Sequence, residues 1–197
     1  MIDRGSASEN EVVLAFLRAE INSSQWKNEY TVRLRAWGLD RGRLIDHADL
    51  NDANGNGARK YVLGDVRGFC RGMWLFEGFP TDTAWRRVQV EPSDFHRLKC
   101  ISGDEHWNDV TRGTRLIQEA GRNFAAHHEI GPIVHGIMQE VRQGSALADL
   151  IMVEVDNELV LVEGTKRATA YAALGDRPFD AFLGTSPSMG GWTRGRD

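Results

Sequence analysis

The sequence predicts an α+β fold, a small mixed β-sheet packed against helices, with a helical extension at the N-terminal side. Three patterns predict it. Residues 149–155 and 159–162 are apolar runs rich in Leu, Ile and Val, separated by the short turn signal Asp156-Asn157. Residues 85–90 (WRRVQV) alternate as a strand does, and Pro92 stops them. Residues 9–22 place Val12, Val13, Phe16, Leu17 and Ile21 at helical spacing behind Ser8 and Glu11, which stand three apart as in a capping box.

The remaining elements follow in order. Residues 1–7 are polar and read as a disordered start. Within 25–37, Val32, Leu34 and Ala36 alternate with Arg33 and Arg35, which reads as a short strand. Residues 51–57 (NDANGNG) read as a turn-rich loop leading into a helical pattern with Tyr61, Val62, Val66 and Phe69. Residues 93–98 suit a helical turn. Two helices are expected over 111–122 and 132–141, the second opened by Pro132 and stopped by Gly144. A helix from Thr165 to Ala173 is opened by Gly164. A short apolar run, 179–183, precedes a Gly-, Ser- and Pro-rich tail reaching Trp192. This divides the chain into a helical extension, 1–80, and a sheet-bearing part, 81–197.

Composition bounds the function. A chain of 197 residues with 41% hydrophobic and 26% charged residues is ordinary for a globular protein. Its formal charge of -4 argues against coating nucleic acid by charge alone. Two cysteines, Cys70 and Cys100, make neither a disulfide framework nor a zinc site. No apolar stretch approaches the ~20 residues needed to span a bilayer, and no signal-peptide pattern opens the chain. A cytoplasmic setting without a membrane is the expectation.

The segment that carries chemistry is LVLVEGTKRATAYAAL. A buried strand runs into Glu163-Gly164, and glycine permits a sharp turn and close approach of a ligand to the backbone. The first amides of the helix that follows have no partner inside it, and with the helix dipole they favour an anion. Lys166 and Arg167 add two cations, one a point charge and the other a bidentate fork. Thr165 suits a cap or a bond to a phosphate oxygen. Glu163 suits a general base or a magnesium ligand, and equally a carboxylate paired with Lys166 or Arg167.

Other groups carry weaker signals. His106, in the polar run Asp104 to Trp107, is a candidate to polarise a phosphate or hydroxyl if its loop lines the same cleft; the plainer reading is a surface loop anchored by Trp107. Arg115 reads as a solvated helix residue. His127, His128 and His135 do not share one helical face, so no metal site is expected. Asp52, Asn54, Asn56 and Gly57 match half a calcium loop, but its twelfth position, which needs a bidentate Glu, is Leu63. Thr185, Ser186 and Ser188 read either as pocket hydroxyls or as a terminal loop. The six tryptophans read as core and rim residues.

GTKRATA, with the acidic residue and apolar strand before it, resembles the G-x-x-R-x-x-A box of the ParB/sulfiredoxin superfamily. Gly164, Arg167 and Ala170 match the box, and Thr165 and Lys166 fill its variable middle. The resemblance covers roughly residues 149–175, more loosely 85–114, and none of 1–80. It implies a box at a strand-to-helix turn that binds nucleotide phosphates (ATP, ADP or CTP), with or without magnesium. Sulfiredoxins place a catalytic cysteine after the glycine; here Thr165 stands there, so sulfinic-acid reduction is not expected. Chromosome-partition ParB proteins continue into a DNA reader, and only 26 residues follow Tyr171. Free-serine kinases of the superfamily carry an acid before the glycine, kept as Glu163, and histidines after it, replaced by Thr165 and Lys166.

The function expected from this resemblance is nucleotide-dependent phosphoryl transfer or nucleotide hydrolysis, with Glu163 and His106 as catalytic candidates and Gly164, Thr165, Lys166 and Arg167 holding the nucleotide. The alternative is a non-catalytic nucleotide-binding regulator, with residues 1–80 facing a protein partner. A nuclease finds no metal-binding carboxylate cluster in the sequence.

Overall fold

In the computed structural model, which describes residues 1–196, a six-stranded mixed sheet lies between two layers of helices. The elements are β1 (Ile2–Ala7), α1 (Glu9–Ile21), α2 (Lys27–Ala36), α3 (Ala53–Arg67), β2 (Ala84–Val90), β3 (Leu98–Lys99), α4 (Glu105–Val110), α5 (Ile117–Asn123), α6 (Ile130–Arg142), β4 (Leu150–Val155), β5 (Glu158–Glu163), α7 (Thr165–Leu174) and β6 (Phe179–Thr185). The strand order is β1-β2-β6-β4-β5-β3. The β4–β6 and β3–β5 pairs are parallel and the others antiparallel.

The central hairpin explains why its two strands read as continuous apolar runs. Along β5, Val160 and Val162 enter the core shared with α1 and α3, while Leu159 and Leu161 enter the core shared with α5 to α7. Along β4, Ile151 and Val153 face the first layer and Leu150 and Met152 the second. A strand covered on both faces has no polar side to alternate with. Asp156 and Asn157 take φ values of 50° and 69°, which is the backbone a two-residue hairpin turn with the right twist requires.

Helix α1 follows its sequence signal. Ser8 and Glu11 form the reciprocal capping box, and the stripe from Val12 to Ile21 is buried. Helix α6 buries Ile130, Val134, Met138 and Val141, one apolar face at helical spacing.

Several segments differ from expectation. Within residues 1–7, which read as a disordered start, Ile2–Ala7 form β1, an edge strand on β2. Its side chains are mostly exposed, so backbone pairing rather than an apolar face holds it, and an apolar pattern had nothing to report. Residues 27–36 are helical, not a strand. Tyr30 and Leu34, four apart, are the buried pair, and Val32 is 56% exposed; the alternation around Arg33 and Arg35 was incidental. The NDANGNG stretch is mostly the first turn of α3. Asp52 caps it by accepting from Asn54 N at 3.0 Å, and the buried Arg59 ties it to the carbonyls of Leu44 and Asp49 at 2.9 and 3.0 Å.

The helix expected over 111–122 is broken. Arg112 and Arg115 have positive φ, and helix resumes only at Ile117. Arg115 is 7% exposed and donates from Nε to the Cys100 carbonyl at 3.0 Å, so it is a buried strut rather than a solvated residue. The 179–183 run is part of β6, which lies between β2 and β4. The tail after it is anchored by Trp192, which is fully buried and donates from Nε1 to the Leu75 carbonyl at 2.7 Å. No described helix is long and apolar enough to cross a membrane.

Candidate functional site

A cleft of about 870 Å³ opens where the two helical layers meet beyond the end of β5. One wall is the turn from β5 into α7, Glu163 to Arg167, with Leu147 and Ala148 beside it. The segment Gly103–Trp107 closes one side, and Ile133 and Ile137 of α6 another. The opposite wall comes from the end of α1 with the 23–26 segment, joined by Arg67 and Trp74.

Why the turn forms here is local chemistry. Gly164 has φ 102°, outside the range of an L side chain, and an added Cβ would stand 2.8 Å from Leu150 Cγ. The first intrahelical bond, Ala168 N to Gly164 O at 2.9 Å, leaves the amides of Thr165, Lys166 and Arg167 without a partner inside the helix. No side chain caps that end. Ala168 and Ala170 are fully buried, and Gly121 of α5 approaches so closely that a Cβ there would lie 2.9 Å from Ala173 N. Small residues thus set α7 firmly against its neighbours.

All six residues expected from the sequence border this cleft: Glu163, Gly164, Thr165, Lys166, Arg167 and His106. Their states differ. Arg167 is engaged on both sides: Nη2 lies 2.5 Å from Glu163 Oε2 and Nη1 donates to the Ala148 carbonyl at 2.6 Å. Glu163 and Arg167 are 17% and 13% exposed, a nearly buried pair. Lys166 makes no hydrogen bond or ion pair among the described residues and is half-buried at the mouth of the helix. His106 is 65% exposed, with Nδ1 3.8 Å from Glu129 Oε2 and its ring 5.8 Å from that of His127. Asp104 caps α4 by accepting from Trp107 N at 3.3 Å, and Trp107 is buried beneath it.

The opposite wall holds groups that were not read from the sequence. Glu20 is 3% exposed, yet it lines the cleft. Tyr30 Oη donates to its Oε2 at 2.5 Å, and Arg67 Nε stands 3.3 Å from its Oε1. Burial pushes the Glu20 carboxyl up to about 7, Arg67 and Tyr30 pull it down, and Glu163 pushes it further up. Glu163 is therefore close enough to be felt electrostatically across the cleft. Burial also pushes the Tyr30 hydroxyl far up, so it stays a donor. The Arg67 guanidinium lies 4.2 Å over the Trp26 ring. A signal for Glu20 did exist: it shares the helical stripe of Val13, Phe16 and Leu17, and a carboxylate on an apolar face calls for a partner.

Thr185, Ser186 and His127 lie outside this cleft. Ser186 Oγ bonds Asp82 Oδ1 at 2.6 Å, and Thr185 and Ser186 border a separate shallow depression. His127 Nδ1 accepts from the amides of Glu129 and Ile130 at 3.3 Å each. Among the described residues, no group of three or more His, Cys, Asp or Glu side chains could hold a metal ion. No protein-family model, curated protein or solved structure matches the chain.

Proposed function

We propose that the chain binds a nucleotide in this cleft, its phosphates against the opening of α7, and acts on it by phosphoryl transfer or hydrolysis in the manner of a ParB/sulfiredoxin-like protein. One observation carries the reading: an uncapped helix end, opened by Gly164, faces a cleft of ligand size with the uncommitted cation Lys166 beside it. The donors are the amides of residues 165–167 and Lys166. Arg167 has a different part. Tied to Glu163 and Ala148, it fixes the shape of the turn and adds its charge to the field there.

Phosphoryl transfer asks for positioning and charge neutralisation more than covalent chemistry. Glu163 at the turn and His106 both line the cleft, and they are the groups taken here as catalytic. A nucleotide's magnesium is held by phosphates and one or two carboxylates, and Glu163, with Oε1 not bonded to Arg167, would be one such carboxylate at the turn. A second reading, a nucleotide sensor without turnover, is favoured by the Arg167 contact, which already occupies Glu163 Oε2.

A thermal-shift screen with ATP, ADP, CTP and GTP, with and without magnesium, tests the reading. A ligand of the folded state raises the midpoint by mass action. Release of phosphate from the nucleotide that binds, lost in Glu163→Gln with binding kept, supports the enzyme. Binding with no product after prolonged incubation supports the sensor. No shift with any nucleotide removes both.

A further inference from the structure

Trp74 spends backbone energy without being buried. Its φ is 53°, in the left-handed region that a bulky side chain adopts only under constraint, yet its side chain is 50% exposed. The constraint comes from its neighbours. Leu75 and Phe76 are buried immediately after it, and the Leu75 carbonyl is taken by Trp192 Nε1. The indole is thus presented from an anchored turn, and it borders the cleft.

A second planar group lines the same cleft. Trp26 is packed into the first-layer core and carries the Arg67 guanidinium against one face. Arg67 Nε is ion-paired with Glu20 at 3.3 Å without a hydrogen bond, and its two terminal nitrogens hydrogen-bond to nothing among the described residues. Aromatic faces and unspent guanidinium donors suit a flat heteroaromatic ring with polar edges. The charged helix mouth of α7 lies on the facing wall. The cleft is therefore lined both by the helix opening with Lys166 and by aromatic groups.

We infer that Trp74 stacks the nucleobase of the bound nucleotide and that Arg67 hydrogen-bonds the base edge or ribose, so that the N-terminal helical part supplies base affinity and α7 supplies phosphate affinity. The inference rests on the nucleotide reading above and extends it to a second subsite on the other wall.

The test measures, by titration calorimetry, the binding of inorganic tripolyphosphate and of ATP, CTP and GTP to the wild-type chain and to Trp74→Asn and Trp74→Phe. Asparagine tolerates a positive φ, so the first variant keeps the turn. The expected result is that the preferred nucleotide binds the wild type more tightly than tripolyphosphate. Trp74→Asn weakens that nucleotide roughly five- to hundredfold, the range for loss of one aromatic stack. Tripolyphosphate binding stays unchanged, and Trp74→Phe recovers most of the loss. Equal affinity of tripolyphosphate and nucleotide in the wild type, or unchanged nucleotide affinity in Trp74→Asn, overturns the inference while the phosphate site stands. Parallel loss of both ligands in Trp74→Asn also overturns it, because it marks a general disturbance of the cleft. Absence of binding by every ligand removes the nucleotide reading as well.

Discussion

Arg167 Nη2 meets Glu163 Oε2 at 2.5 Å across the turn that joins β5 to α7, and the same guanidinium holds the Ala148 carbonyl at 2.6 Å. One side chain thereby locks the last residue of a strand, the first turn of a helix and the approach to β4. Arg167→Ala leaves the mostly buried Glu163 carboxylate unpaired, and destabilisation of roughly 2–4 kcal/mol is expected. Urea denaturation measures it. Arg167→Lys recovers only part, because an ammonium lacks the planar fork that spans both contacts. Stability equal to wild type in Arg167→Ala would contradict the locking role.

Gly164→Ala is predicted to cost roughly 1–3 kcal/mol from its φ of 102° alone. Displacement of the buried Leu150, 2.8 Å from the new methyl group, adds to this. Chemical denaturation gives the cost. Hydrogen exchange at Leu150 and Ala168 is expected to rise with it, since both sides of the turn loosen together.

Glu20 gives the fold a pH dependence. Its carboxyl is raised from 4.5 to about 7 by burial, with Arg67 and Tyr30 opposing and Glu163 reinforcing. The folded chain then holds a proton that the unfolded chain releases. The stability contributed by this group is complete below about pH 4.5 and is lost as pH rises through about 7. The full change is on the order of 3 kcal/mol. Glu20→Gln cannot titrate, so the difference in unfolding free energy between it and wild type is predicted to vary across pH 5–8. Parallel curves for the two proteins would refute the assignment.

Trp192→Phe removes the donor from the buried Leu75 carbonyl while keeping most of the aromatic volume. A loss of about 1–3 kcal/mol is expected, together with faster exchange in the 74–79 turn, read by denaturation and exchange mass spectrometry.

What the sequence discloses depends on how local the cause is. The β4–β5 hairpin and the opening of α7 were legible because the apolar runs, Asp156-Asn157 and Gly164 act over a few residues. Ser8 and Glu11 announced α1 for the same reason. Helix α2 is hidden behind the alternation of Val32, Leu34 and Ala36, because its burial is decided by Tyr30 and Leu34 docking on other helices while Val32 is exposed. The opening of α3 was hidden because Asp52 and the distant tether of Arg59 overrule a stretch of Asn and Gly with low helix propensity. At the site, the α7 wall was readable as a motif. On the facing wall, the α1 stripe marks Glu20 as a carboxylate in need of a partner, but only tertiary packing brings the distant Arg67 and Trp74 to the same cleft.

Lys166, at the opening of α7, makes no hydrogen bond or ion pair among the described residues, so its substitution reports on the nucleotide proposed there rather than on the fold. Calorimetric titration of the wild-type chain with ATP, CTP and GTP in the presence of magnesium is expected to give saturable one-to-one binding for at least one of them. In Lys166→Glu, binding should weaken at least about tenfold, a change of about 1.4 kcal/mol, with the unfolding midpoint unchanged. No binding heat for any nucleotide, or a Lys166→Glu variant that binds as the wild type does, would rule out an anion site at the opening of α7.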